Sequence, residues 1–186
     1  MLNKRGRLVV LSAPSGGGKS TVIKEILKRH PDFIYSVSST TRPKRNYEVE
    51  GFHYYFLTRA EFEQGITENR FIEFEEVHGD LYGTDRRMIE KALNEGKNIL
   101  LDLDVNGGDW ISHQYPGTIL IFLYPPSIEE LRERLRRRGA DDETTIEKRL
   151  SRYPMEKAKG DRYPHHIVNE NLEDTIERVL EIIDKS

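Results

Sequence analysis

The sequence has no cysteine in 186 residues, which excludes disulfide bonds and thiolate metal sites. Long apolar runs are also missing: the amino-terminal run covers only Leu8 to Leu11, whereas a membrane-spanning helix needs about 20 apolar residues. The net charge is only −3, so the chain lacks the basic excess typical of nucleic-acid-binding proteins. We therefore expect a cytoplasmic protein that binds neither a membrane nor nucleic acid. The oligomeric state stays open between a monomer and a small homo-oligomer.

Hydrophobic residues make up 36% of the chain and charged residues 33%, a balance typical of a globular domain. Continuous apolar segments at Leu8–Leu11, Asn98–Asp104 and Thr118–Tyr124 predict buried strands, and apolar residues at helical spacing predict the helices that alternate with them. This alternation indicates an α/β fold with a parallel sheet. Between Ser36 and Gly83 the pattern changes to shorter strands with polar alternation and many aromatic residues, which predicts an inserted subdomain.

A glycine-rich segment, LSAPSGGGKST, joins the first predicted strand to a predicted helix. It fits the phosphate-loop pattern G-x-x-x-x-G-K-[ST] except that Ala13 stands at the first glycine, and alanine is tolerated there if its φ is negative. In such a loop the backbone amides of residues 15–20 surround the phosphates, Lys19 reaches the β and γ phosphates, and Ser20 holds magnesium. The predicted ATP-binding residues of this loop are Ala13, Pro14, Ser15, Gly16, Gly17, Gly18, Lys19 and Ser20.

The second predicted strand ends in the acidic sequence LLDLD. Phosphate-loop folds place a carboxylate near the magnesium ion at the end of such a strand. Asp102 and Asp104 are two residues apart on this predicted strand, so we expect their side chains to point the same way. We expect Asp102 to lie near the magnesium ion.

Three further segments, SVSSTTRPKR, GFHYYF and FIEFEEVHGDLYGT, resemble the guanylate kinase family, and the resemblance covers nearly the whole chain. It implies a P-loop kinase fold with a parallel-sheet core, an inserted mixed α/β GMP-binding subdomain and a helical lid. The implied segments are 1–35 (core with phosphate loop), 36–84 (GMP-binding subdomain), 85–127 (core), 128–150 (lid) and 151–186 (core).

The resemblance also implies a GMP site. Arginine forks suit a phosphate dianion, phenols add uncharged donors, and a carboxylate can accept both adjacent donors of guanine. Glu73 matches the guanine-reading glutamate, and the hydroxyl-bearing positions are available to the carbonyl edge of the base. Glu75 and Glu76 match no role, and we interpret them as ordinary strand or surface charges. The implied GMP-binding residues are Ser38, Arg42, Arg45, Tyr54, Glu73, Tyr82, Thr84 and Asp104.

By the same resemblance, Arg134, Arg138 and Arg149 match the lid arginines that close over the triphosphate. Together with Lys19 they would neutralise the charge on the transferring phosphoryl group, so these four are the predicted catalytic residues. Asn169 matches a position near the ATP adenine. The remaining arginines of the lid helix, Arg132, Arg136 and Arg137, match nothing, and we interpret them as solvated.

The implied reaction is ATP + GMP giving ADP + GDP, with Mg²⁺ bound to the ATP and with dGMP as a further acceptor. Two alternatives stay open. One is a guanylate-kinase-like binding module that has lost the chemistry, against which the intact Lys19 and Ser20 argue. The other is a related P-loop kinase for another small phosphorylated acceptor, against which Glu73 argues together with Ser38 and Thr84.

Overall fold

A computed structural model describes residues 5–77, 79–139 and 142–186, with the side chains of Val77 and Arg138 outside the described part. The strands are β1 (Leu8–Ser12), β2 (Phe33–Tyr35), β3 (Ser39–Thr40), β4 (Tyr55–Phe56), β5 (Phe71–Val77), β6 (Asp80–Asp85), β7 (Asn98–Asp102), β8 (Ile119–Tyr124) and β9 (His165–Val168). The helices are α1 (Lys19–Arg29), α2 (Arg59–Thr67), α3 (Arg86–Asn94), α4 (Val105–Gln114), α5 (Ile128–Arg138), α6 (Glu143–Leu150), α7 (Tyr153–Gly160) and α8 (Leu172–Lys185).

The central sheet has five strands in the order β2-β7-β1-β8-β9, and every neighbouring pair is parallel. Consecutive residues of β1 face opposite sides: Val10 packs with α3 and α4, and Val9 and Leu11 pack with α1 and α8. All three are fully buried, as expected for a parallel strand covered on both faces. The predicted α/β fold is confirmed, and the carboxyl ends of β1 and β7 meet at one edge of the sheet.

A second sheet, here called the small sheet, has the strand order β4-β3-β6-β5. It lies in the chain between β2 and β7, where the change of pattern predicts an insertion. Helix α2 packs on it through a separate cluster of Phe62, Phe71 and Leu81, in which the two phenylalanine rings stack with centroids 4.2 Å apart. The small sheet is tied to the central core through Ile72, whose carbonyl accepts hydrogen bonds from Trp110 and Gln114.

Helices α5 and α6, here called the α5–α6 pair, pack on each other through Leu131, Leu135, Ile146 and Leu150. Arg132 pairs with Glu147 and Arg136 with Glu143, so two arginines that we interpreted as solvated connect the two helices. Helix α5 begins after the N-cap Ser127 and ends at Arg138, and the C-cap that follows is Gly139, whose positive φ of 66° suits glycine. Among the described ranges, no helix is long and apolar enough to cross a membrane.

The expectation that β7 continues to Asp104 is wrong. The strand ends at Asp102, and Asp104 is the N-cap of α4, where its carboxylate accepts hydrogen bonds from the amides of Asn106 (3.0 Å) and Gly107 (2.8 Å). These amides have no hydrogen-bond partner within the helix. A carboxylate that accepts from them therefore stabilises the fold more than a further residue of β7 would.

Candidate active site

The glycine-rich segment connects β1 to α1, as predicted. Gly16 (φ 87°) and Gly18 (φ 90°) have left-handed backbones, and α1 begins immediately after Gly18. Outside glycine, Asn69 is the only described residue with positive φ, so the expectation of a negative φ at Ala13 is confirmed. The loop borders a cavity of about 750 Å³, here called the loop cavity, which is lined by residues 13–21, Arg134 and Arg137.

Lys19 points from the start of α1 to the carboxyl end of β7. Its ammonium group lies 2.6 Å from a carboxylate oxygen of Asp102 and donates a hydrogen bond to the Leu103 carbonyl (2.9 Å). The Ser20 hydroxyl donates to the other carboxylate oxygen of Asp102 at 3.3 Å. The Lys19 and Asp102 side chains are only 18% and 22% exposed, so the charge of each is balanced by a close and partly desolvated partner.

Asp102 also lines a second and larger cavity of about 950 Å³, here called the small-sheet cavity, between the small sheet and the end of β7. The loop cavity and the small-sheet cavity therefore meet at the ion pair of Lys19 and Asp102. The predicted site residues that line the small-sheet cavity are Ser38, Tyr54, Glu73, Tyr82, Asp102 and Asp104.

Thr84 lies behind Glu73 and not in the cavity wall. It is 1% exposed, and its hydroxyl donates a 2.6 Å hydrogen bond to a carboxylate oxygen of Glu73. The Thr84 proton is therefore used to hold the glutamate in this structure, and a contact of this hydroxyl with a base stays a prediction. Burial raises the pKa of Glu73, the charges of Glu75 and Asp104 add to this effect, and the Thr84 hydrogen bond opposes it.

Arg42 forms a two-pronged ion pair with Glu48, in which its terminal nitrogens donate at 2.6 and 3.1 Å. The Glu48 side chain is 5% exposed and also accepts the Arg45 amide at 2.8 Å. These hydrogen bonds, with those from Arg42 foremost, lower the pKa of Glu48. Arg42 also lies over the Tyr54 ring, 5.5 Å from its centroid, and Tyr54 contacts Tyr82 edge to face. The structure thus brings Arg42, Tyr54 and Tyr82 together, with Glu48 behind them.

The Arg45 side chain lies further out and donates to the Tyr47 hydroxyl at 2.9 Å. Both residues are exposed.

The α5–α6 pair brings two of the predicted lid arginines to the phosphate loop. Arg134 donates to Glu130 (2.9 Å) and to the Asn169 carbonyl (2.9 Å), and Arg149 donates to the Ser15 hydroxyl (3.0 Å). Arg138 ends α5, and its side chain lies outside the described part of the structure.

Arg137 is 67% exposed, but it lines the loop cavity and donates to Glu130 at 3.0 Å. The interpretation of Arg137 as solvated agrees with its exposure, and the structure adds that its side chain borders the loop cavity.

The Asn169 carboxamide makes hydrogen bonds within the protein through both its nitrogen and its oxygen. It donates to the Gly17 carbonyl at 2.7 Å and accepts from the Thr175 hydroxyl at 3.1 Å, and the residue is 6% exposed. A Cβ on Gly18 would collide with this carboxamide, so glycine is needed there for space as well as for its positive φ. Asn169 fastens the phosphate loop to the turn between β9 and α8.

Comparison with known proteins agrees with this arrangement. The family model described as guanylate kinase matches residues 5–186. The chain belongs to the guanylate kinase family. It is 43% identical to a guanylate kinase of Thermotoga maritima over 96% of this chain and 86% of the relative. It is 41% identical to a guanylate kinase of Synechocystis over 96% of this chain and 94% of the relative.

A solved structure leads to the same family. The crystal structure of guanylate kinase from Anaplasma phagocytophilum superimposes with a TM-score of 0.78 at 34% identity, over all of this chain and 88% of that one. The predicted P-loop kinase fold is thereby confirmed for this member of the guanylate kinase family.

Three carboxylates near the site of this guanylate kinase family member were missed by the sequence reasoning. Glu48 holds Arg42, Glu130 accepts hydrogen bonds from both Arg134 and Arg137, and Glu75 lines the small-sheet cavity. For Glu130 the sequence does carry a signal, because it precedes Arg134 by four residues on one helix. For Glu75 the signal is its spacing of two residues from Glu73 on a strand.

Proposed function

We propose that the chain is a guanylate kinase that transfers the γ-phosphoryl group of ATP to GMP, with ATP in the loop cavity and GMP in the small-sheet cavity. The observation that carries this proposal is the meeting of the two cavities at Lys19 and Asp102. Two anionic substrates held on the two sides of this pair would have their phosphates face each other, as an in-line transfer requires.

On the ATP side, the amides at the start of α1 and the Lys19 ammonium bind the β and γ phosphates. Lys19 leaves Asp102 to do so, which exchanges a carboxylate partner for phosphate oxygens. Arg134, Arg138 and Arg149 supply charge to the transferring group from the lid, and Arg137 adds a cation at the rim of the cavity. Asn169 acts by holding the loop and by offering its carbonyl to Arg134.

On the GMP side, Glu73 accepts the two adjacent donors of guanine, and Ser38 and Asp104 lie in the same cavity wall. Arg42, Arg45, Tyr54 and Tyr82 bind the phosphate. Because Glu48 occupies the terminal fork of Arg42, this arginine meets the phosphate with its remaining N–H groups, while Glu48 keeps the guanidinium in place.

Mg²⁺ suits the oxygen donors at the junction of the two cavities. The Ser20 hydroxyl and the Asp102 carboxylate lie within hydrogen-bonding distance of each other, and both are hard oxygen ligands of the kind this ion prefers. They would hold the ion directly or through water. When bound, Mg²⁺ neutralises the charge that develops on the β and γ phosphate oxygens.

The test is a coupled assay of ADP release with GMP, AMP and no acceptor, at saturating ATP and Mg²⁺. We expect turnover with GMP to exceed turnover with AMP by about 100-fold or more, because a site built for guanine donors leaves polar groups unpaired with adenine. Equal rates with both acceptors would favour a kinase of different specificity, and no turnover with any acceptor would favour a binding module.

Glu48→Gln is expected to raise the KM for GMP by roughly 3- to 10-fold and to change kcat little, because it loosens Arg42 without removing it. Steady-state kinetics with varied GMP measure the changes in KM and kcat separately. The inhibition constant of guanosine, which has no phosphate, should be the same in Glu48→Gln as in the wild type. The matched control is Glu63→Gln, which affects an exposed Arg–Glu pair on α2. An unchanged KM for GMP would show that Glu48 has no part in phosphate binding.

A further inference from the structure

Strand β5 carries a second carboxylate into the small-sheet cavity. Side chains two residues apart on a strand share a face, and both Glu73 and Glu75 line the cavity. Glu76 is the next residue along the strand, so its side chain points to the opposite face, where its carboxylate pairs with Arg59 at 3.4 Å. Glu75 therefore belongs to the wall of the site, whereas its neighbour Glu76 does not.

The pairing of β5 with β6 places Glu75 along the length of the cavity. Glu73 lies opposite Thr84, and Glu75 lies opposite Tyr82. Two strand residues span about 7 Å, so Glu75 is displaced by this distance from the guanine-reading end toward the phosphate-binding end. In GMP the group between base and phosphate is the ribose. If the base binds at Glu73 and the phosphate at Tyr82 and Arg42, Glu75 comes next to the sugar.

The Glu75 carboxylate is also available for a ligand. Within the part of the chain that the structure describes, it makes no hydrogen bond and no ion pair, unlike Glu73, which Thr84 holds. An ionised carboxylate only accepts hydrogen bonds, and its two oxygens match the two adjacent hydroxyl donors of a ribose. Acidic residues bind ribose hydroxyls in this way in other nucleotide sites.

We propose that Glu75 accepts hydrogen bonds from the ribose hydroxyls of the acceptor nucleotide and so makes the enzyme prefer GMP to dGMP. This inference rests on the proposed function, because it takes the small-sheet cavity as the GMP site. It assigns to Glu75 the recognition of the sugar, in addition to the recognition of the base by Glu73.

The experiment compares Glu75→Ala with the wild type and with Glu76→Ala, a matched control on the opposite face of the same strand. The measured quantity is kcat/KM for GMP, for dGMP and for IMP, which keeps the ribose but lacks the guanine amino group. In Glu75→Ala we expect the GMP-to-dGMP ratio to fall roughly 3- to 10-fold, mainly through a loss with GMP. The GMP-to-IMP ratio should stay unchanged, and Glu76→Ala should alter neither ratio.

Each other outcome has a definite meaning. An unchanged GMP-to-dGMP ratio in Glu75→Ala overturns the inference and leaves the proposed function intact. A change in the GMP-to-IMP ratio instead would mean that Glu75 reads the base, which also overturns it. If the wild-type enzyme were inactive on GMP, the proposed function itself would be wrong. If Glu75→Ala is unstable by thermal unfolding, Glu75→Val replaces it with the same ratios and the same criteria, because valine also lacks a hydrogen-bond acceptor and suits a strand.

Discussion

Lys19→Ala is expected to lower kcat/KM by about 100- to 1,000-fold, because it removes a charge aimed at the phosphates where negative charge develops in the transition state. The loss should be larger than for an ordinary surface lysine, since the Lys19 side chain is only 18% exposed and already lies in a partly desolvated site. Single-turnover measurements at saturating ATP and GMP would assign the loss to the transfer step.

The control for this prediction is Lys24→Ala, which removes an exposed lysine from the same helix. Both variants should fold, because α1 is held by the buried residues Val22, Ile23 and Ile26, which neither substitution touches. Near-normal turnover of a folded Lys19→Ala protein would contradict the role of the loop in catalysis.

Glu73→Gln is expected to reduce kcat/KM for GMP by roughly 5- to 150-fold, the range that an unpaired buried polar group of about 1 to 3 kcal/mol would give. The new amide keeps one oxygen acceptor but turns an N–H group toward a guanine donor. It also disturbs the Thr84 hydroxyl, which now donates to the carboxylate. The efficiency with GMP as varied substrate is the measurement.

The specificity of this effect can be checked with two further substrates. ATP affinity, measured without GMP, should hardly change, because Glu73 lies in the small-sheet cavity and not in the loop cavity. The base of IMP offers one donor where guanine offers two, so kcat/KM should fall less with IMP than with GMP. Glu76→Gln serves as the control. Unchanged GMP efficiency in Glu73→Gln would contradict the assignment of the guanine site.

The sequence predicts the central sheet and its flanking helices well, because their signals are local. Each of these elements is specified by its own residues: β1 by an apolar run, the start of α1 by the glycines before it, and α8 by apolar residues at helical spacing. The phosphate loop is the clearest case, since even the alanine at its first position can be explained from backbone geometry alone.

Helix α4 shows where local signals fail. Its first turn contains Asn106, Gly107 and Gly108, which are poor helix formers, so no helix is expected from propensity. Gly108 is required because the Tyr163 hydroxyl occupies the place of a Cβ, and Asp104 stabilises the helix start. Both causes depend on neighbours that the fold supplies.

The site shows the same division between local and distant signals. Lys19 and Ser20 follow from one short motif, and the acceptor residues follow from resemblance to a family. The contacts that hold them do not: Thr84 donates to Glu73 from the neighbouring strand, and Glu48 reaches Arg42 across a turn whose shape no local pattern predicts. Side chains that hold other side chains in place are hard to predict from sequence periodicity, because their role depends on a partner that is distant in the sequence or placed by a loop.

The α5–α6 pair has a hydrophobic core of its own, and this affects how the protein can change over evolution. Its four buried residues, Leu131, Leu135, Ile146 and Leu150, form a cluster separate from those of the central sheet. Substitutions in separate clusters that share no partner tend to have additive effects on stability. The segment can therefore exchange core residues, or be replaced as one module, at little cost to the sheet, provided that Leu131 and Leu135 still fit beside Gly16 of the phosphate loop.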